Sequence, residues 1–210
     1  MRNEFLYTIL FSMLLFSCDC GIDEKELIFK ESELDHFSSF TVGDTLIYTD
    51  QIGNTDRVVV KEISDHDKKP EVNCGIFRAQ PNNHKAVYIE HLPVNIYPFS
   101  HWEVDSTAEI KDFHYLLSMN ITPSPRDLDL HVSFKNFIFN RNDYENYRIE
   151  KDTIIGGFKV KSFYRFPHSY PERLKDSSYI TEVFWTAKYG LIAYKNQKGN
   201  TYIKTNANKK

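Results

Sequence analysis

The sequence predicts an all-β fold, a single and mostly antiparallel sheet that curves into an open half-barrel with few, short helices. Along most of the chain after residue 37, apolar residues recur at every second position, which is the period of a strand. Turn residues such as Gly, Asn and Pro separate these stretches. No segment combines a sustained helical stripe with a cap and a stop. A two-sheet β-sandwich fits the same patterns and is the alternative.

Length and composition predict one sizeable domain with an aromatic core. The 210 residues include 16 Phe, 13 Tyr and 2 Trp, and the formal net charge is −3. A chain of this length can bury a real core, and aromatic side chains contribute much of the buried area. A slightly acidic chain without a basic cluster argues against nucleic acid as a partner.

The first half of the domain is expected to consist of paired strands. Residues 45–49 and 57–63 flank a turn-rich connector and predict a β-hairpin. The phenylalanines between positions 134 and 139 do not alternate cleanly, so we predict a β-bulge there. The other strands of this half are expected at residues 74–79, 86–91, 113–121 and 128–139.

The last third has the clearest pattern. Residues 152–157 form a glycine-containing turn into a strand at 158–166, in which apolar and basic side chains alternate. Phe158, Val160, Tyr164 and Phe166 are expected to share the buried face. A three-stranded meander follows, at residues 179–187, 191–196 and 201–205.

The amino terminus predicts export and lipidation. Phe5 to Ser17 is an apolar run of thirteen residues, too short to span a bilayer but typical of a signal peptide. Leu15, Ser17 and Cys18 resemble a bacterial lipobox, which implies that Cys18 is acylated and becomes the mature N-terminus. Ordinary signal cleavage, with Cys18 left as a thiol, is the alternative.

These features divide the chain into four parts. Residues 1–17 are a signal peptide, 18–36 a charged tether, 37–205 the antiparallel β domain and 206–210 a polar tail. The sequence leaves undecided whether the remaining cysteines, Cys20 and Cys74, form a disulfide. Neither belongs to a C-x-x-C motif, which argues against structural zinc.

The stretch 152–158, the aromatic strand after it and Trp185-Thr186-Ala187-Lys188-Tyr189-Gly190-Leu191 resemble uncharacterised lipoproteins of the Bacteroidota. In those proteins a W/Y-x-x-K-x-G-L/I hairpin closes a curved antiparallel sheet. The resemblance covers about a quarter of the chain and implies a fold and a location, but no activity. It implies the cell outer membrane, with either the periplasmic or the surface face, and a lipid anchor at Cys18.

No catalytic motif, cofactor site or metal site is recognised in the sequence. It contains no G-x-S-x-G, H-E-x-x-H, phosphate-binding loop or dinucleotide fingerprint. Aromatic and titratable side chains that could bind a ligand are His101, Trp102, Glu103, His114 and Trp185. For the aromatic members, ordinary core packing is the competing interpretation.

Three functions remain under consideration. The first is a lipid-anchored module that binds an unidentified ligand or protein partner without catalysis. The second is a carrier of lipid or lipoprotein, which needs an apolar cavity with a mouth. The third is a hydrolase of envelope polymers or polysaccharides, acting through the region from His101 to His114. Abundant aromatic residues without a matched acid–base pair favour the binding module.

Overall fold

Strands dominate the structure, a computed structural model that describes residues 24–65, 82–92, 114–122, 126–170 and 179–205. One short α-helix, α1 (Glu31–Leu34), occurs in these residues, together with 3₁₀ turns at Glu24–Leu27, Asp35–Phe37 and Tyr144–Tyr147. The predicted all-β class is therefore confirmed. The strands are β1 (Thr45–Thr49), β2 (Thr55–Asp65), β3 (Asn83–Leu92), β4 (His114–Thr122), β5 (Asp127–Phe134), β6 (Phe137–Arg141), β7 (Arg148–Ile155), β8 (Phe158–Pro167), β9 (Ile180–Thr186), β10 (Gly190–Asn196) and β11 (Thr201–Lys204).

All eleven strands belong to one antiparallel sheet with the order β6-β5-β4-β3-β2-β1-β11-β10-β9-β8-β7. The first and last strands are neighbours at its centre, where Tyr48 of β1 pairs with Lys204 of β11. The sheet curls into a half-barrel, as predicted, and does not divide into the two layers of a sandwich. Its edges are β6 and β7, which follow each other in sequence.

Aromatic contacts show how strongly the sheet curls. The rings of Phe134 in β5 and Tyr194 in β10 lie 5.2 Å apart, and those of Phe139 in β6 and Phe166 in β8 lie 4.2 Å apart. Strands so distant in the sheet order can meet only across the inside of the curl. These residues belong to the main core, which therefore fills the concave face.

Two of the predicted supersecondary units are confirmed. Strands β1 and β2 form the predicted hairpin, with Thr45 opposite Val59 and Thr49 opposite Thr55. Strands β9, β10 and β11 form the C-terminal meander. Both rest on local alternation and turn residues, which act over a few residues along the chain.

The prediction of one bulged strand at 128–139 is wrong, because the chain turns inside it. Phe134 ends β5 and pairs directly with Phe137 at the start of β6. Lys135, in the turn between them, has a φ of 56°, a left-handed conformation that is uncommon for a residue with a Cβ. The reversal places both phenylalanines in the core, so their spacing reflects a turn and not a bulge.

The four apolar residues predicted to share the buried face of β8 are all buried, and the basic residues between them are exposed, but the four divide between two clusters. Tyr164 and Phe166 belong to the main core, whereas Phe158 and Val160 join a second, smaller cluster with Phe163 and Ile192. The ladder between β7 and β8 shifts register between Glu150 and Thr153. Such an irregularity bends a hairpin locally, and alternation along a single strand does not reveal it.

The described part of the predicted tether belongs to the folded domain. Leu27, Phe29 and His36 are buried, and the first two pack in the main core. The prediction of a tether at 18–36 is therefore corrected for residues 24–36. Outside the described residues lie the predicted signal peptide, residues 18–23, Cys18, Cys20, Cys74, the strand expected at 74–79 and the tail at 206–210.

Candidate functional site

The concave face of the half-barrel is covered by the N-terminal segment 24–40, which we call the cover. Its buried apolar side chains are Leu27, Phe29, Phe37 and Phe40, and all four join the main core. The cover therefore packs against the inner face of the sheet, where a carrier would hold its cargo. It is a chain segment of its own and pairs with no strand of the sheet.

Two side chains from the sheet side fasten the beginning of the cover. The Arg126 guanidinium donates through Nε to the carbonyl of Glu26 at 3.0 Å and through Nη2 to the carbonyl of Ile28 at 3.4 Å. Nδ2 of Asn83, at the start of β3, donates to the carbonyl of Leu27 at 2.8 Å. Two side chains thus hold three consecutive peptide carbonyls, and we call Asn83 and Arg126 the clamp.

Arg126 also forms an ion pair inside the cover. Its Nη2 lies 2.7 Å from Oε2 of Glu33, a carboxylate whose side chain is only 8% exposed. The same oxygen accepts the backbone N–H of Lys30 at 2.7 Å, just before α1. A buried carboxylate without a partner would destabilise the fold, and Arg126 supplies the opposite charge for Glu33.

A buried hydrogen bond joins the middle of the cover to the sheet. The Trp185 indole N–H in β9 donates to Nδ1 of His36 at 2.9 Å. Burial lowers the pKa of His36 to about 4, while the carboxylates of Asp35 and Glu33 oppose that shift. The imidazole is therefore neutral near pH 7, and its Nδ1 serves as an acceptor.

The end of the cover packs against Gly190 at the start of β10. This glycine has a φ of 66°, and a Cβ there would lie 2.6 Å from Cζ of Phe40 and 2.8 Å from Oγ of Ser39. Both the backbone conformation and the close approach exclude a side chain. The missing side chain at Gly190 thus makes room for the end of the cover.

The β5–β6 turn contributes a buried cation to the inner face. Lys135 forms an ion pair with Asp56 of β2 and lies 3.3 Å from the Tyr194 hydroxyl. Its ammonium also stands over the rings of Tyr194 and Tyr202, 5.3 and 5.8 Å from their centroids. Burial lowers the pKa of Lys135, and Asp56 opposes the shift. Lys135 therefore links the β5–β6 turn to β10, which lies on the other side of the sheet's centre, across the interior of the half-barrel.

The structure places the predicted ligand residues as follows. Trp185 is fully buried in the main core beneath the cover, so the indole packs in the interior and presents no stacking surface. His114 begins β4, where its backbone pairs with Ile89 of β3. His101, Trp102 and Glu103 lie outside the described residues.

Sequence reasoning missed the residues that hold the cover. Asn83, Arg126 and Trp185 come from separate parts of the chain, and they form no motif with Glu33 and His36 of the cover. A weak signal was present, since Leu27 and Phe29 are apolar residues two positions apart inside a charged stretch. That spacing is typical of an extended segment with one buried side.

In the described residues, no group of three His, Cys, Asp or Glu side chains is placed to hold a metal ion. No helix of that same part is both long and apolar enough to cross a membrane. The chain matches no family model, no curated protein sequence and no solved structure.

Proposed function

We propose that this chain is a lipid-anchored lipoprotein of the cell envelope, acylated at Cys18, whose half-barrel binds a partner without catalysis. The observation that carries the binding role is the cover, because residues 27–40 pack their own apolar side chains into the concave face. A carrier needs that face open, whereas a binding module needs only accessible surface. The buried His36 and Glu33 are engaged with Trp185 and Arg126, a structural use of titratable groups.

The lipobox at Leu15 to Cys18 supports the anchor, and the resemblance to Bacteroidota lipoproteins supports the outer membrane. Two or three acyl chains hold a protein on a bilayer almost permanently, since each buried methylene contributes about 0.8 kcal/mol. Metabolic labelling with an alkyne fatty acid should label the wild type and leave Cys18→Ala unlabelled. A labelled, membrane-bound alanine variant would place the anchor elsewhere. Protease treatment of intact cells would then assign the face.

Lipid carriage is the second candidate, because the cover is joined to the sheet by side chains and could leave without breaking a ladder. The mature chain from residue 18 with Cys18→Ala can be titrated with a fluorescent fatty acid and analysed by native mass spectrometry. We expect a lipid-free mass and no saturable binding. One lipid bound per chain would contradict the binding-module proposal and favour the carrier. The hydrolase alternative depends on the region from His101 to His114, of which residues 101–113 lie outside the described part of the chain.

A further inference from the structure

The two edges of the sheet differ in what lies beside them. At β6, the Ser169 N–H donates to the carbonyl of Ile138 at 2.8 Å, and the Asn140 N–H donates to Oγ of Ser169 at 3.3 Å. Among the residues that the structure describes, none is hydrogen-bonded in this way to the outer edge of β7. A bare edge presents N–H and C=O groups with which another strand can pair. The sheet can therefore be extended at β7.

Strand β7 is exposed along most of its length and is supported from behind. The side chain of Glu150 is 66% exposed and Ile154 is 64% exposed. Behind them, Ile149 and Ile155 pack against the smaller apolar cluster, and the tip of the β7–β8 hairpin touches β11. An edge that is already ordered loses little conformational entropy when it pairs. The β7 edge is therefore prepared for association.

A β-bulge in β7 restricts which strand can pair with this edge. Glu150 lies opposite Ser162 of β8, whereas Thr153 lies opposite Val160, so β7 has one extra residue between the two pairs. Because Ser162 and Val160 are two positions apart, they have the same orientation, and so do Glu150 and Thr153. A regular strand alternates strictly and matches β7 on only one side of the bulge. An antiparallel strand with the same bulge matches it on both sides.

We infer that β7 pairs with β7 of a second copy of this chain, antiparallel, about a two-fold axis between Lys151 and Asp152. The two bulges then face each other, and Lys151 of each copy lies opposite Asp152 of the other, which gives two pairs of opposite charge. Ile149 lies opposite Ile154 of the other copy, so the exposed Ile154 is covered. This inference goes beyond the proposed function, because self-association requires neither the anchor nor another protein.

The side chains of β7 favour this register over its neighbours. A shift by one position places Lys151 opposite Lys151 in one direction and Asp152 opposite Asp152 in the other. Like charges directly opposite each other destabilise a strand pair. A shift by two positions places Ile149 opposite Asp152, or Lys151 opposite Ile154, and so sets an apolar side chain against a charge. The register centred between Lys151 and Asp152 avoids both faults.

The test measures self-association of the mature chain from residue 18 carrying Cys18→Ala, which removes the lipid. A single strand pair is smaller than a stable interface, which buries about 1,200 Å² or more, so we expect a weak dimer with a dissociation constant on the order of 100 μM. Sedimentation velocity in reducing buffer, over roughly 10–500 μM protein, covers this range. The reductant excludes dimers linked through Cys20 or Cys74.

Charge variants test the register. Lys151→Asp and Asp152→Lys each set like charges opposite each other twice, so each variant alone should dimerise about tenfold more weakly. In an equimolar mixture of the two variants, both positions of one copy face opposite charges on the other, and dimerisation should return. The control is Lys198→Asp, which makes the same charge change in the exposed β10–β11 turn and should leave the dissociation constant unchanged.

Several outcomes would overturn the inference. A chain that stays monomeric at the highest concentration does so, as does a dimer that Lys151→Asp leaves unchanged, or a mixture of folded variants that stays monomeric. A second measurement needs no variant, and therefore does not depend on how the variants fold. Hydrogen exchange of the wild-type β7 amides should slow as the protein concentration rises, and slowing confined to another strand would place the contact elsewhere.

Discussion

Removing the Arg126 side chain should loosen the cover and destabilise the domain by about 3 kcal/mol. Breaking a buried ion pair costs about 3–5 kcal/mol and an exposed one about 0–1 kcal/mol. The pair with Glu33 lies between these limits, since the two side chains are 22% and 8% exposed. We take about 2 kcal/mol for the pair and about 1 kcal/mol for the two carbonyl contacts, which water partly replaces.

Urea unfolding of Arg126→Ala measures this loss as a lower midpoint. The control is Lys61→Ala, whose partner Glu90 lies 2.9 Å away in a pair with side chains 43% and 19% exposed. It should cost less than about 1 kcal/mol. In a double-mutant cycle with Glu33→Gln, we expect a coupling energy of about 1–3 kcal/mol. If Arg126→Ala behaved like the Lys61 control, the cover would not depend on this ion pair.

Two further predictions concern backbone and protonation. A Cβ on Gly156 would lie 2.0 Å from Cγ2 of Ile203, whereas one on Gly157 would meet nothing within 4 Å, although φ is positive at both. Gly157→Ala should therefore lower the free energy of unfolding by about 1–2 kcal/mol, through left-handed strain alone. Gly156→Ala should lower it by about 3 kcal/mol or more, because the added Cβ also collides with Ile203. Urea unfolding measures both, and equal losses would show that the hairpin tip does not pack on β11. Burial lowers the pKa of His36 from 6.5 to about 4, so unfolding takes up a proton between these values. The contribution of His36 is then fully present above pH 6.5, and its loss lowers stability by about 3 kcal/mol as the pH drops to 4. Burial lowers the pKa of His131 to about 4 as well, so His36→Gln should remove about half of the fall in this pH range, and an unchanged slope would assign the proton uptake to other groups.

The sequence by itself determined the elements that depend on near neighbours. Alternating side chains and turn residues act within a few positions, so the β1–β2 hairpin and the meander from β9 to β11 were predictable. The all-β class followed from the same signals. They were equally compatible with a sandwich, because alternation shows that a strand has one buried face but not what covers it.

Only the tertiary structure decided what covers the buried faces of the strands. The half-barrel forms because β1 and β11 meet at the centre of the sheet, a pairing between the two ends of the domain. The turn at Lys135 is a similar case, since its ammonium is paired with Asp56, 79 positions earlier in the chain. A left-handed lysine opposes local preference, and the contact with Asp56 helps to offset the cost.

The cover shows the same division most clearly. Its charged residues indicated a tether, because low hydrophobicity over a short window favours a solvated chain. The side chains that hold the cover are far from their partners in the sequence. The separation is 56 positions for Asn83, 93 to 100 for Arg126 and 149 for Trp185. Hydrogen bonds over such separations leave no periodic trace in the sequence, since either partner alone is an ordinary polar residue. The candidate site could therefore emerge only once the sheet had curled and brought them together.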